Sequence, residues 1–126
     1  LGTYVLSAGY YDAYYKRAQQ VRTLIIEEFK NAFKSCDVIA IPTAPSTAFK
    51  FNEKSKNPIE MYLEDIYTVP VNMAGLPAIS IPAGFDKNNM PIGLELIADA
   101  FREDKIFNFA YTFEKNTNFN KVKPNI

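Results

Sequence analysis

With 126 residues, 48% of them hydrophobic and 22% charged, the chain has material for one core and too little for two ordinary domains. Lys+Arg and Asp+Glu both number 14, and a formal charge of zero supplies no electrostatic footprint for wrapping nucleic acid. Histidine is absent and Cys36 is the single cysteine, which excludes Ser-His-Asp, Cys-His and His-ligated metal chemistry within these residues, and any internal disulfide.

No apolar stretch approaches the roughly 20 residues needed to span a bilayer, and no charged-then-apolar leader opens the chain. The expectation is a single cytoplasmic unit over 1–126, without membrane contact. Leu1 rather than Met opens it, and Leu1–Ser7 has no capping residue ahead of it, as expected for a piece of something larger.

Gly9 separates that opening from the longest periodic stretch, Tyr10 to about Lys34. Tyr14, Ala18, Val21, Ile25, Phe29 and Ala32 step by three or four and predict one apolar helix face. Asp37-Val38-Ile39-Ala40-Ile41, closed by Pro42, lacks polar alternation and predicts an interior strand buried on both faces. Thr43 to Asn57 reads as a long surface loop, a length that is often functional.

Asn57-Pro58-Ile59-Glu60 is a helix start: Asn57 can cap, Pro58 suits the first position, and Glu60 follows three after the cap. Ile59, Tyr62, Leu63 and Ile66 predict its apolar stripe, to about Tyr67. Pro70 is expected to forbid further helix, leaving Val69–Pro77 as a buried, irregular connection. Ala78–Pro82 and Ile92–Ile97 predict two strands joined by the turn-rich Asp86–Pro91. A last helix is expected over Glu103 to Asn116 with Ile106, Phe109, Ala110 and Phe113 inward, then a polar tail. This order predicts an α/β fold, a mixed β-sheet flanked by helices.

A nucleophile is not evident. Ser7, Ser35, Ser46, Ser55 and Ser80 lack a Gly-x-Ser-x-Gly elbow and any imidazole base. Ser80 reads as the less buried side of a strand, and Cys36 as a small buried thiol. Gly75, Gly84 and Gly93 are isolated and make no phosphate cradle. Asp65 is placed near the end of a short helix, where an exposed carboxylate opposes the dipole by on the order of 0.3–1 kcal/mol. Either a cationic ligand group compensates it, or it is a solvated acid beside Glu64. Val69–Pro77, rigid and bearing Asn72, is either a pocket wall or a plain connection. Tyr10, Tyr11, Tyr14 and Tyr15 surround one helical turn and read as packing rather than a stacking platform.

Ser7-Ala8-Gly9-Tyr10-Tyr11-Asp12-Ala13-Tyr14-Tyr15-Lys16-Arg17-Ala18-Gln19 followed by Val21-Arg22-Thr23-Leu24-Ile25 resembles a stretch of the A subunits of bacterial glutamyl-tRNA(Gln)/aspartyl-tRNA(Asn) amidotransferases. Pro42-Thr43-Ala44-Pro45, Met61 to Asn72, Ala74-Gly75-Leu76-Pro77-Ala78-Ile79-Ser80 and Pro91-Ile92-Gly93-Leu94 continue the likeness in order. The proline/glycine segment is shared across amidase-signature enzymes. Glu95 departs from the family's usual Gln, and Ala98-Asp99-Ala100 replaces a Gly/Pro-containing turn.

The resemblance implies a carboxy-terminal portion of the amidase-signature fold, and an enzyme with a Ser–cis-Ser–Lys triad carried on polypeptide not present here. No catalytic residue, cofactor or metal is therefore expected in this chain, which should be inactive alone. It further implies that the whole subunit liberates ammonia from glutamine, and that Asp65 holds that substrate, with Tyr67, Thr68 and Asn72 as weaker pocket candidates. B and C subunits are the implied partners; ATP, Mg²⁺ and tRNA would be handled mainly by the B subunit. Alternatives are another amidase-signature hydrolase of small amides, or a non-enzymatic interaction module.

Overall fold

A computed structural model describes residues 14–51 and 58–123. The expected opening segment, the first turn of the tyrosine-rich helix including Tyr10 and Tyr11, Ser7, Ser55 and the Asn57 cap lie outside the described residues.

After a wider turn at Tyr14 and Tyr15, helix α1 runs Lys16–Ala32. Its apolar stripe is less covered than the periodicity predicts: Ile25 and Phe29 are half-buried, whereas Tyr14, Ala18, Val21 and Ala32 are exposed. Cys36 follows in the turn after α1 and is exposed, not buried, with its thiol donating to Ala32 O at 3.4 Å. The same carbonyl also accepts from the Ser35 amide at 3.0 Å, so the thiol is a second donor in the turn that ends α1.

Strand β1, Ile39–Pro42, pairs antiparallel with a strand at Pro91–Ile97 (here β3) and with no other described strand. It is an edge, and its exposure alternates along the strand, so the expectation of an interior strand buried on both faces is corrected. A run of four apolar residues is too short for periodicity to separate edge from centre.

Helix α2 covers Pro58–Leu63, and a turn over 64–67 leads into α3, Thr68–Ala74. The predicted irregular connection is thus largely helical. Pro70 sits third in α3, within the first turn, whose amides have no intrahelical partner, so its missing N–H removes no hydrogen bond. Gly75 ends α3 at φ +70°, a left-handed conformation that glycine adopts without steric penalty. Its N–H and that of Leu76 close the end by donating to Asn72 O and Val71 O. α3 packs against α1, and Arg22 Nε donates to Met73 O at 2.7 Å, placing a cation at the negative end of α3. The predicted apolar stripe, Ile59, Tyr62, Leu63 and Ile66, is exposed, Tyr62 by 78%.

Strand β2, Ala78–Phe85, and β3 form the predicted hairpin, extended by a few residues and bulged between Pro82 and Gly84. Asp86 organises its turn, accepting from the amides of Asn88 at 2.7 Å and Met90 at 2.9 Å. The described sheet has order β1-β3-β2, with both pairings antiparallel. Helix α4, Glu103–Asn116, matches its expected bounds. Ile106 and Ala110 are buried and Phe113 packs beside them, but Phe109 is exposed. The tail expected to be merely polar forms a 3-10 turn, Phe119–Lys121, with Phe119 stacked on Phe113.

Alternation along the strands divides the sheet into two faces. Ile81 and Leu96, joined by Ile79 and Leu94, meet Ile106 and Ala110 of α4 in the core. Burying such aliphatic side chains contributes about 1.5–3 kcal/mol each. Gly93, Glu95 and Ser80 belong to the opposite face, towards α3.

Candidate functional site

On that second face, Thr43, Thr68, Val71, Asn72, Ser80 and Glu95 are among the residues lining a cavity of about 310 Å³. Each reaches it through its element. Ser80 stands directly opposite Glu95 in the β2–β3 register. Thr43 leaves β1 with its N–H donating to Gly93 O at 3.0 Å, which continues the ladder by one step. Asn72 lies one helical turn after Thr68 on α3 and its Nδ2 donates to Thr68 O at 2.9 Å.

The Thr43 and Ser80 hydroxyls share a 2.6 Å hydrogen bond. Gly93 makes room for them: a Cβ there would fall 2.6 Å from Thr43 Oγ1 and 2.9 Å from Ser80 Oγ. The same pair borders a second concavity of about 570 Å³, lined mainly by residues 42–48 and the start of β3. No lysine is among the described residues lining either cavity, and the ionisable group sharing the smaller one with Ser80 is Glu95.

Glu95 is 6% exposed, and its Oε2 is buried with no hydrogen-bond partner among the described residues. Desolvation pushes its carboxyl above the ordinary range. Asp86 behaves oppositely: the Met90 amide foremost, then the Thr47 hydroxyl, hold its carboxyl low. No group of three or more potential metal ligands occurs among the described residues, and no helix among them is long and apolar enough to cross a membrane.

Of the residues singled out in the sequence, Thr68 and Asn72 line the smaller cavity, whereas Asp65 and Tyr67 do not. Asp65 occupies the exposed turn between α2 and α3, where its carbonyl accepts from Val69 N at 3.0 Å and Thr68 Oγ1 at 3.4 Å. Ser46 Oγ donates to Glu64 Oε2 at 3.0 Å, tying the loop after β1 to that turn. Sequence reasoning missed Thr43, Ser80, Gly93 and Glu95 as a group. One signal pointed to them, the acid at position 95 where the resemblance expects Gln.

Residues 1–107 match the amidase family, and the chain belongs to it. Across all 126 residues it is 56% identical to the A subunit of glutamyl-tRNA(Gln) amidotransferase from Nostoc sp. (strain PCC 7120 / SAG 25.82 / UTEX 2576). The counterpart from Trichodesmium erythraeum (strain IMS101) is likewise 56% identical over 126 residues. The chain spans about a quarter, 26%, of the length of each.

Among solved structures, the glutamyl-tRNA(Gln) amidotransferase A subunit from Thermotoga maritima superposes with a TM-score of 0.81 at 47% identity, over 92% of this chain and 25% of that one. A 6-aminohexanoate cyclic dimer hydrolase gives 0.75 at 21% identity over 95% and 27%, a likeness of fold alone. These matches support an amidase-family region of about a quarter of the relatives' length, and the expected carboxy-terminal placement within them is not among what they show.

Proposed function

We propose that these residues belong to the glutamine-hydrolysing subunit of a tRNA-dependent amidotransferase and form part of the wall that receives the amide donor. The observation that carries this reading is the 56% identity over the whole chain to subunits of that name. In the complete subunit, glutamine passes through an acyl-enzyme and releases ammonia. A B subunit using ATP and Mg²⁺ then amidates the misacylated tRNA, with a C subunit bound to both. This chain contributes binding rather than bond breaking, since Ser80 pairs with another hydroxyl and no lysine lines its cavities.

Asp65 pairs with the α-ammonium of glutamine, a charge-assisted bond worth roughly 1.5–3 kcal/mol when shielded from water. Thr68 and Asn72, on the helix that starts three residues later, present hydroxyl and amide groups beside it, with Tyr67 between. Asp65's exposure is compatible with a group that meets its partner only when ligand arrives. In the assembled full-length enzyme, Asp65→Asn is expected to lower kcat/KM for glutamine about 10- to 100-fold, at 1.4 kcal/mol per factor of ten, and to spare ammonia-dependent amidation. Unchanged glutamine kinetics would remove Asp65 from the donor site.

A further inference from the structure

We propose that Glu95 makes the cavity beneath α3 a binding site for a small N–H cation, an ammonium ion or the primary ammonium head of a small ligand. The carboxyl lines a cavity of about 310 Å³ and is itself nine-tenths buried, with Oε2 unpartnered among the described residues. A buried acceptor without a donor is destabilising, and native interiors rarely leave one in that condition. The cavity's own residues do not supply the missing donor as a charge: no Lys or Arg lines it. An ionised Glu95 therefore needs a positive charge from outside the cavity wall.

The remaining wall selects the kind of cation. Thr43, Ser80, Thr68 and Asn72 line the same cavity and bring neutral hydroxyl and amide groups to it, and Val71 and Leu76 add aliphatic surface. An ammonium group presents several donors at once, enough for one carboxylate and neighbouring hydroxyl or amide oxygens. A divalent metal would face a single carboxylate, and no cluster of three potential metal-ligating side chains occurs among the described residues. One buried carboxyl in a hydroxyl-lined cavity matches a monovalent donor. This inference shares Thr68 and Asn72 with the glutamine reading but not Asp65 or Tyr67, which do not line the cavity, and its readout at Glu95 does not depend on glutamine turnover.

The test is amide NMR of the full-length subunit, selectively labelled at threonine, serine and glutamate, titrated in parallel with ammonium chloride, methylammonium chloride and potassium chloride at matched ionic strength. The expected result is a saturable shift of the Thr43, Ser80 and Glu95 amides with ammonium or methylammonium and not with potassium, lost in Glu95→Gln. Response to ammonium alone identifies the free ion as ligand, and response to methylammonium an amine head. Gln keeps the size of Glu, so the variant's unchanged resonances elsewhere verify its fold. Equal shifts with potassium, no saturable shift with either amine salt, or a response retained in Glu95→Gln, would overturn the proposal.

Discussion

Glu95 and Asp86 bend the pH dependence of stability in opposite directions. Burial raises the folded-state value for Glu95 above the ordinary 4.5, so the folded chain holds that proton more tightly than the unfolded one. Its contribution to stability is greatest in acid and declines as pH rises through the raised value. Asp86 is held below its ordinary 3.8, so its contribution is present at neutral pH and disappears as pH falls through the lowered value. Glu95→Gln removes a buried ionisable group and is expected to stabilise by about 1–3 kcal/mol at pH 8 and far less at pH 4. Thermal unfolding at both pH values checks this, and an equal change in Tm at the two contradicts it. Phe101 offers a second case. It is 90% exposed and held at φ +61°, where a non-glycine residue costs roughly 1–2 kcal/mol. Phe101→Gly should therefore stabilise the fold by about 0.5–1 kcal/mol, net of glycine's greater unfolded-state entropy, and raise Tm; a lowered Tm would show that the ring contributes packing. Neither burial of Glu95 nor strain at Phe101 is legible locally. Glu95 alternates with Leu94 and Leu96 like any solvent-facing strand residue, and its place between Ile41 and Ser80 on the central strand comes from pairings distant in sequence.

Elements were legible where one local signal dominated. α4 has acids in its first turn, a regular apolar stripe and a basic last turn, and its bounds follow from the sequence. The hairpin was equally plain, because Asp86 and the residues after it carry their own turn chemistry. α3 was not, since two prolines and a glycine read as breakers, yet one proline falls in the first helical turn and the other lies beyond the end. Gly93 gains its meaning only when Thr43 and Ser80 meet over it. Gly93→Ala is expected to force those hydroxyls apart and destabilise by about 1–3 kcal/mol, read by chemical denaturation. Denaturation midpoints equal to those of the unsubstituted chain would mean that the loop after β1 gives way freely.

At the scale of the whole molecule, the apolar pattern exceeds what the described fold buries. Ile59, Tyr62, Leu63 and Ile66 lie exposed along α2 and the turn after it, and among the described residues β1 and β2 each pair on one side only. Sequence periodicity located that stripe correctly but not what covers it, because a stripe has no information about its partner. Isolated, the 126-residue chain should self-associate with rising concentration in sedimentation velocity; a monomer throughout the range would show these surfaces to be well solvated. The division of labour proposed above is tested most directly by assaying ammonia release when this chain alone is supplied with glutamine. The account predicts no turnover above the uncatalysed background. Sustained, enzyme-rate release of ammonia would place bond-breaking groups within these residues and contradict it.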